Sequence, residues 1–310
     1  MKNLNEANYY DNEIDLSKLI NFLWENKLIL ISSMLLFGIL SSLASFTFPN
    51  KYQSSILLVE SESSSGKSDF SEFSGLAGVA GITLPSSKTN NAALGIEIFQ
   101  SRKFTTDFIE RRQILVPMFA SIGWDKSSKK LLIDKDIYDE DKNIWNWSSS
   151  YSDSRKPQNN EAYDYWTEKI FSINEDKKTG FVRISIKHHS PYLASDWANW
   201  IVEDLNNYVR EIDIAEANLA LEFLNNELLK DYPKELKELF YKLVQINIEK
   251  EMLAYSKPEY VFKVVDPAYV PDKKVFPRRI LFLILGMFCG FVIGLFLSIF
   301  SSKKEQKRNH

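Results

Sequence analysis

The chain has 310 residues, 45% of them hydrophobic, with 38 Lys and Arg against 41 Asp and Glu for a net charge of -3. It lacks the basic surplus of a nucleic-acid binder, and it is long enough to bury a core of its own. One cysteine, Cys289, permits no disulfide within the chain.

In chain order, residues 13–27 place Ile14, Leu16, Leu19, Ile20, Leu23 and Trp24 at roughly helical spacing. This fits an amphipathic helix on a membrane surface or a helical extension of the span that follows, and Trp24 suits the interface in both cases. Residues 28–48 carry no charge. At about 1.5 Å per residue that run crosses a hydrocarbon core of roughly 30 Å. Gly38, Ser32, Ser33, Ser41, Ser42, Ser45 and Thr47 interrupt it, but hydroxyls can bond back to the preceding turn. A signal peptide would have a shorter apolar core nearer the start, so the span is expected to be retained.

Residues 51–60, rich in Tyr, Ile, Leu and Val, predict a strand. A Ser- and Gly-rich loop follows to Pro85. Within it Gly66, Lys67 and Ser68 imitate the end of a phosphate-binding loop, but Ser61 stands where the first glycine is needed. A helix is predicted over residues 92–112 with Ile96, Phe99, Phe104 and Phe108 inward. Residues 123–157 read as polar and irregular. Their acidic group Asp134, Asp136, Asp139, Glu140 and Asp141 fails as a calcium loop, because Asp139 and Trp145 occupy the positions that need Gly and Glu. A solvated acidic face is expected.

A helix is predicted over residues 161–171, then a turn at residues 176–180 and a strand at residues 181–187. His188 and His189 end that strand on opposite faces, so no shared metal is expected. Ser190-Pro191 opens a helix that runs to about Lys230, with Ala194, Trp197, Ala198, Ile201, Leu205, Tyr208 and Ile212 stepping by three and four. Its length, roughly 60 Å, exceeds the width of a domain of this size, so it must protrude. Pro233 either turns or kinks the chain; a turn and an antiparallel helical hairpin continuing through Leu236, Leu239, Leu243 and Ile246 is expected. A strand over residues 259–266 can pair with the first strand.

Pro267, Pro271 and Pro277, interleaved with Lys273, Lys274, Arg278 and Arg279, lead into a second uncharged run, residues 280–300. There Gly286, Gly290 and Gly294 recur every fourth residue, a spacing that lets another helix's backbone approach. Gly38 and Ser42, four apart in the first span, are its candidate partner; a neighbouring protomer or another protein competes for the same face. Glycine is also simply common in membrane helices. Both termini then lie on one side of the membrane, and residues 49–279 form a single loop with a net charge of -4. Lys303, Lys304, Lys307 and Arg308 favour a cytoplasmic tail, while Lys273, Lys274, Arg278 and Arg279 flank the other end of the same helix; the positive-inside bias weakens for long translocated loops, so the loop is expected outside. The expected organisation is residues 1–27 cytoplasmic, 28–48 the first span, 49–279 the outer domain, 280–300 the second span and 301–310 a cytoplasmic tail. The expected fold class is α+β, a small mixed sheet with long protruding helices. No nucleophile with a base, no metal cluster and no cofactor site is recognised.

The layout resembles the Wzz-type chain length determinants, polysaccharide co-polymerases of bacterial inner membranes. The segments that carry the resemblance are Asp15 with residues 16–20, Tyr52 to Val59, the loop from Gly75 to Gly81, residues 96–101, and Ser190-Pro191 with Ala194 and Ala198. Val265-Asp-Pro-Ala268, with Pro271 and Pro277 running into a glycine-bearing span, is the most specific of them. The resemblance implies a periplasmic α+β base with protruding helices, assembled as a homo-oligomeric ring. That ring works beside a polysaccharide polymerase and sets the modal length of a lipid-linked glycan, such as O-antigen of lipopolysaccharide. Capsule, exopolysaccharide and enterobacterial common antigen are the other products such relatives serve. It implies no catalysis. Some relatives carry a cytoplasmic tyrosine kinase after the second span; only ten residues follow here, none a tyrosine, so no fused kinase is expected. A polysaccharide-processing enzyme would need a catalytic pair, of which Asp134 and Asp136 are the nearest candidates. A membrane-anchored sensor would need a signalling domain that neither terminus has the length to hold.

Overall fold

The computed structural model describes residues 21, 23–61, 91–147 and 155–308, and divides into two units. Unit 1 combines Met1–Pro49 with Pro277–His310; unit 2 is Asn50–Phe276. The amphipathic segment before the first span, apart from a short helical stretch near Trp24, and the whole Gly66 and Gly75 to Gly81 loop lie outside the described residues.

Unit 1 contains helix α1 (Lys27–Ala44) and helix α8 (Arg279–Arg308). Both are long and apolar enough to cross a membrane, α8 over Arg279–Ile299. The first helix stops short of the predicted Phe48. Ser45 N–H donates to both the Ser41 and Ser42 carbonyls, and the Ser45 and Thr47 hydroxyls donate to the Ser42 and Ala44 carbonyls at 2.7 and 2.8 Å. The end of the helical ladder is thus saturated by its own side chains. The second helix runs past Phe300 into the segment expected to be a tail.

Unit 2 is built on strand β1 (Lys51–Glu60). It pairs on one side with β7 (Val182–His188), and β7 pairs onward with β6 (Phe171–Glu175). On its other side β8 (Phe262–Asp266) takes the far half and β9 (Lys274–Phe276) the first two residues. All these pairings are antiparallel, so the sheet is not the mixed one expected. β6 runs parallel to β1, and β8 parallel to β7, but in each case an antiparallel strand lies between them, so no two neighbouring strands are parallel. The predicted pairing of the last strand with the first is present, joined by β9, which the prolines had hidden.

Alternation along β1 sends Tyr52, Ile56 and Leu58 inward, and β7 contributes Val182, Ile184 and Ile186. Against this face lies helix α6 (Pro191–Leu228), capped as expected by Ser190, whose hydroxyl accepts from Leu193 N. Ala194, Trp197, Ala198, Ile201 and Leu205 are wholly buried there. Ile201 and Leu205 each contribute about 1.5–3 kcal/mol by this burial.

The predicted helix over residues 92–112 is two helices, α2 (Asn91–Gln100) and α3 (Arg102–Arg111). Ser101 adopts extended backbone (ψ 140°) and caps the second by accepting from Phe104 N. The apolar period survives the break: Phe99, Phe104 and Phe108 are all wholly buried. After the short helix α4 (Leu115–Phe119), the region read as irregular contains two small hairpins, β2 (Ser121–Asp125) with β3 (Lys130–Ile133), and β4 (Tyr138–Asp139) with β5 (Ile144–Trp145). Helix α5 (Asn159–Tyr165) ends in a π turn, Trp166–Ile170, closed by Phe171 N–H to the Trp166 carbonyl. That wide turn buries Trp166, Ile170 and Phe171 together, and Phe171 begins a strand rather than ending a helix.

His188 fastens β7 to the α4 corner. Its Nδ1 accepts from Ser190 N–H at 3.0 Å, so the proton sits on Nε2, which donates to the Pro117 carbonyl at 2.9 Å. Burial lowers its pKa from 6.5 to about 4. Because the folded value is depressed, its contribution to stability is complete above pH 6.5 and is lost as pH falls toward 4. Over that range it amounts to about 3 kcal/mol. His189, also lowered by burial, adds with the same sign. We expect the thermal midpoint of the detergent-solubilised protein to fall between pH 6.5 and 4.5, and His188→Gln to flatten that slope.

Candidate functional site: the paired spans, the proline segment and the helical hairpin

Within unit 1, α1 and α8 pack antiparallel along the glycine row. A methyl group at Gly290 would lie 2.6 Å from the Ser33 carbonyl oxygen and 2.9 Å from Met34 Cα. One at Gly286 would lie 2.7 Å from the Phe37 carbonyl oxygen. At Gly294 the neighbours are side-chain atoms of Leu30 and Ser33 at 3.2 Å. The row therefore meets Ser33, Phe37 and Ser41, spaced by four on α1, and not the Gly38 and Ser42 pair proposed from the sequence. Gly38 faces the Met287 side chain at 2.9 Å, and Ser42 is half-buried. The same spacing rule finds either row; only the rotation of α1 about its axis chooses between them.

Two hydroxyls cross this seam. Ser41 Oγ donates to the Phe282 carbonyl at 2.7 Å, and Ser33 Oγ to the Gly290 carbonyl. Lipid tails are as apolar as leucine, so close packing and such bonds must hold the pair. At one end, Phe48 and Phe282 rings lie 5.7 Å apart and the Arg279 guanidinium sits 4.0 Å over the Phe46 ring.

The proline segment explains the Val265 to Ala268 motif. Ala268 O accepts from Ser195 Oγ and Asn199 Nδ2, each at 3.1 Å, and Ala268 N–H donates to Asn199 Oδ1 at 3.2 Å. Tyr269 O accepts from Ser54 Oγ at 2.6 Å. Prolines 267 and 271 bring no N–H to be satisfied, and between them the Ala268 N–H and carbonyl are taken by α6 and the Tyr269 carbonyl by β1. Pro267 is exposed and Pro271 buried in unit 2; Pro277 belongs to unit 1 and is buried. Lys274 Nζ donates to Asn50 Oδ1 at 2.8 Å, so the first and last residues of unit 2 lie side by side.

Asn206, which carried no signal in the sequence beyond a polar residue on an apolar helix, holds the return from the hairpin. Its Oδ1 accepts from Val261 and Phe262 N–H at 2.8 and 3.0 Å, and its Nδ2 donates to Phe262 O at 2.9 Å. Two positions earlier, Asp204 is buried and bound by Arg112 through Nε and a second nitrogen at 3.2 and 2.6 Å.

Beyond Asn206, α6 continues for about 33 Å and meets α7 (Lys234–Ser256) after a turn at Pro233. The proline is thus a turn, and the hairpin is antiparallel: Lys250 Nζ reaches Asp213 at 2.7 Å and Glu216 at 3.2 Å. Burial works against the Lys250 charge, but the two carboxylates outweigh it and raise its pKa. Burial and the 2.7 Å bond to Asp213 push the Tyr260 phenol well above its usual range. Few residues are buried between the helices, and Leu219, Phe223, Tyr241, Ile248, Met252 and Tyr255 remain exposed. An open cleft of about 610 Å³ at the hairpin base is lined by Arg210, Ile214, Asn218, Ala254 and Tyr255 among others.

The acidic cluster does turn work. Asp134 Oδ1 accepts from Asp136 N–H and Asp139 Oδ1 from Asp141 and Lys142 N–H. Among the described residues no group of three or more His, Cys, Asp or Glu is placed to hold a metal. His188 and His189 each bond a backbone carbonyl, with ring centroids 6.0 Å apart. Cys289 is exposed on α8.

Residues 12–111 match the family model described as chain length determinant protein, Wzz. The match takes in the segments at Asp15, Tyr52, Gly75 and residues 96–101, and stops before Ser190-Pro191 and the Val265 motif. Among solved structures, a full-length bacterial polysaccharide co-polymerase is similar at 11% identity and a TM-score of 0.37, over 96% of this chain and 99% of that one. No curated protein matches.

The glycine row makes a graded prediction. Gly286→Ala and Gly290→Ala, whose methyl groups meet backbone, should lower the thermal midpoint of the solubilised protein by several degrees. Gly294→Ala, facing side chains that can give way, should change it little.

Proposed function

We propose that the chain regulates the length of a lipid-linked surface polysaccharide, acting as a ring-forming co-polymerase beside the polymerase that extends it. The observation that carries this reading is the match of residues 12–111 to the chain length determinant family. Two apolar helices and a long helical hairpin fit it. In this reading the spans sit in a bacterial inner membrane, both termini are cytoplasmic and unit 2 is periplasmic. The product is O-antigen of lipopolysaccharide.

The hairpin supports self-association. Leu219 and Phe223 on α6, and Tyr241, Ile248, Met252 and Tyr255 on α7, recur at helical spacing and are exposed. Neighbouring protomers in a ring would cover them. A ring holds polymerase and growing glycan together, and length then depends on how long the glycan stays engaged. The role requires no catalytic group.

Electrophoresis of surface polysaccharide from a deletion strain tests the function. Loss of a preferred length with polymer still made supports length regulation, and the polymer affected identifies the product; loss of all polymer favours an enzyme. Leu219→Asp with Phe223→Asp should shift or broaden the length distribution and reduce the oligomer mass. An unchanged distribution and mass would remove the hairpin from the mechanism.

A further inference from the structure

The sheet of unit 2 has two faces, and the packing described above accounts for one. The residues between the inward ones point away from the core: Lys51, Gln53 and Ser55 on β1, Arg183, Ser185 and Lys187 on β7, Ser172 and Asn174 on β6. Register sets Lys187 opposite Gln53, one pleat from Lys51. Such diagonal neighbours lie roughly 7–8 Å apart, close enough for two lysine side chains to converge on one ligand. Lys169, in the π turn ahead of β6, flanks them. Ser55 Oγ and Ser185 Oγ, 2.8 Å apart, add hydroxyls to the same face.

The charges on this face are unbalanced where the lysines meet. Burial, then the charges of Lys169 and Lys187, lower the pKa of Lys51. Among the described residues neither Lys51 nor Lys187 has a carboxylate partner; Glu168 lies 3.7 Å from Lys169 as an exposed neighbour pair. Asp266, opposite Leu57, is about 20 Å along β1 from Lys51. A half-buried ammonium beside like charges costs stability unless an anion joins it. Lys51 is the second residue of unit 2 and follows the first apolar helix, which ends at Ala44, closely in the chain.

We propose that Lys51 and Lys187, flanked by Lys169, bind a phosphate group carried by a lipid, of the lipid diphosphate class. The proposal rests on the function given above only in naming the lipid as the carrier of the growing glycan; the site itself stands on the sheet geometry.

The test uses the full-length protein in detergent and three probes: a polyprenyl diphosphate, the corresponding polyprenol and inorganic pyrophosphate. The diphosphate lipid should bind and the polyprenol should not. Lys51→Gln with Lys187→Gln should weaken binding about tenfold or more, while Lys187→Arg retains it. Lys51→Gln alone should melt no lower than the parent, since it removes an uncompensated charge, whereas a purely structural lysine would lower the midpoint. Pyrophosphate binding as tightly as the lipid assigns the site to free phosphate groups and removes the lipid from the proposal. Equal affinity for polyprenol and diphosphate, or unchanged affinity in the double variant, overturns the site. A deletion strain with an unaltered polysaccharide length distribution would overturn the function and leave the binding result standing.

Discussion

The rest of unit 2 depends on the pairing of β1 with strands that arrive more than 200 residues later. β1 follows the first apolar helix and β9 precedes the second, and Lys51 pairs with Phe276. Closing so long a loop costs on the order of 5 kcal/mol of chain entropy, a figure that grows only slowly with length. The ladder on both edges of β1, the buried Phe262 and the bond from Ser54 to Tyr269 offset it. An insertion as long as the helical hairpin is therefore tolerated between β7 and β8, so long as its ends return to one place.

That return is enforced by polar groups on a helix that otherwise reads as apolar. α6 begins under the sheet with Trp197 and Ile201 wholly buried and ends in a two-helix ribbon with Leu219 and Phe223 exposed. Asn199 and Asn206 lie on the buried stretch and bind the backbone of the Val265 segment and of β8. Each meets both an N–H and a carbonyl of the segment it binds, so its own amide is paired at both ends. The same helix thus serves as core element, clamp and protruding arm.

Unit 1 obeys a different economy. Apolar contact distinguishes little between a partner helix and lipid, so the seam of α1 and α8 relies on closeness. Glycines at four-residue spacing admit the opposing backbone, and Ser33 and Ser41 hydroxyls bond across it. This accounts for the glycine row without a neighbouring protein, and leaves the exposed outer faces of both helices for lipid or further partners.

Much was legible in the amino-acid sequence because it depends on local composition and period. The two apolar runs, the strand at Tyr52, the Ser190 cap, the long helix and the turn at Pro233 follow from hydropathy, alternation and capping, which act within a few residues. The tertiary structure alone decided what those rules do not reach. Ser101 splits a continuous apolar period, because a side-chain cap outweighs the period at one residue. The strands from Phe171 and Lys274 exist because β7 and β1 offer them a ladder. The glycine row meets Ser33, Phe37 and Ser41 instead of Gly38 and Ser42, because helix rotation is set by packing over the whole seam. Lys51 and Lys187 share a face only once the register of β1 on β7 is fixed, and no spacing along the chain records that register.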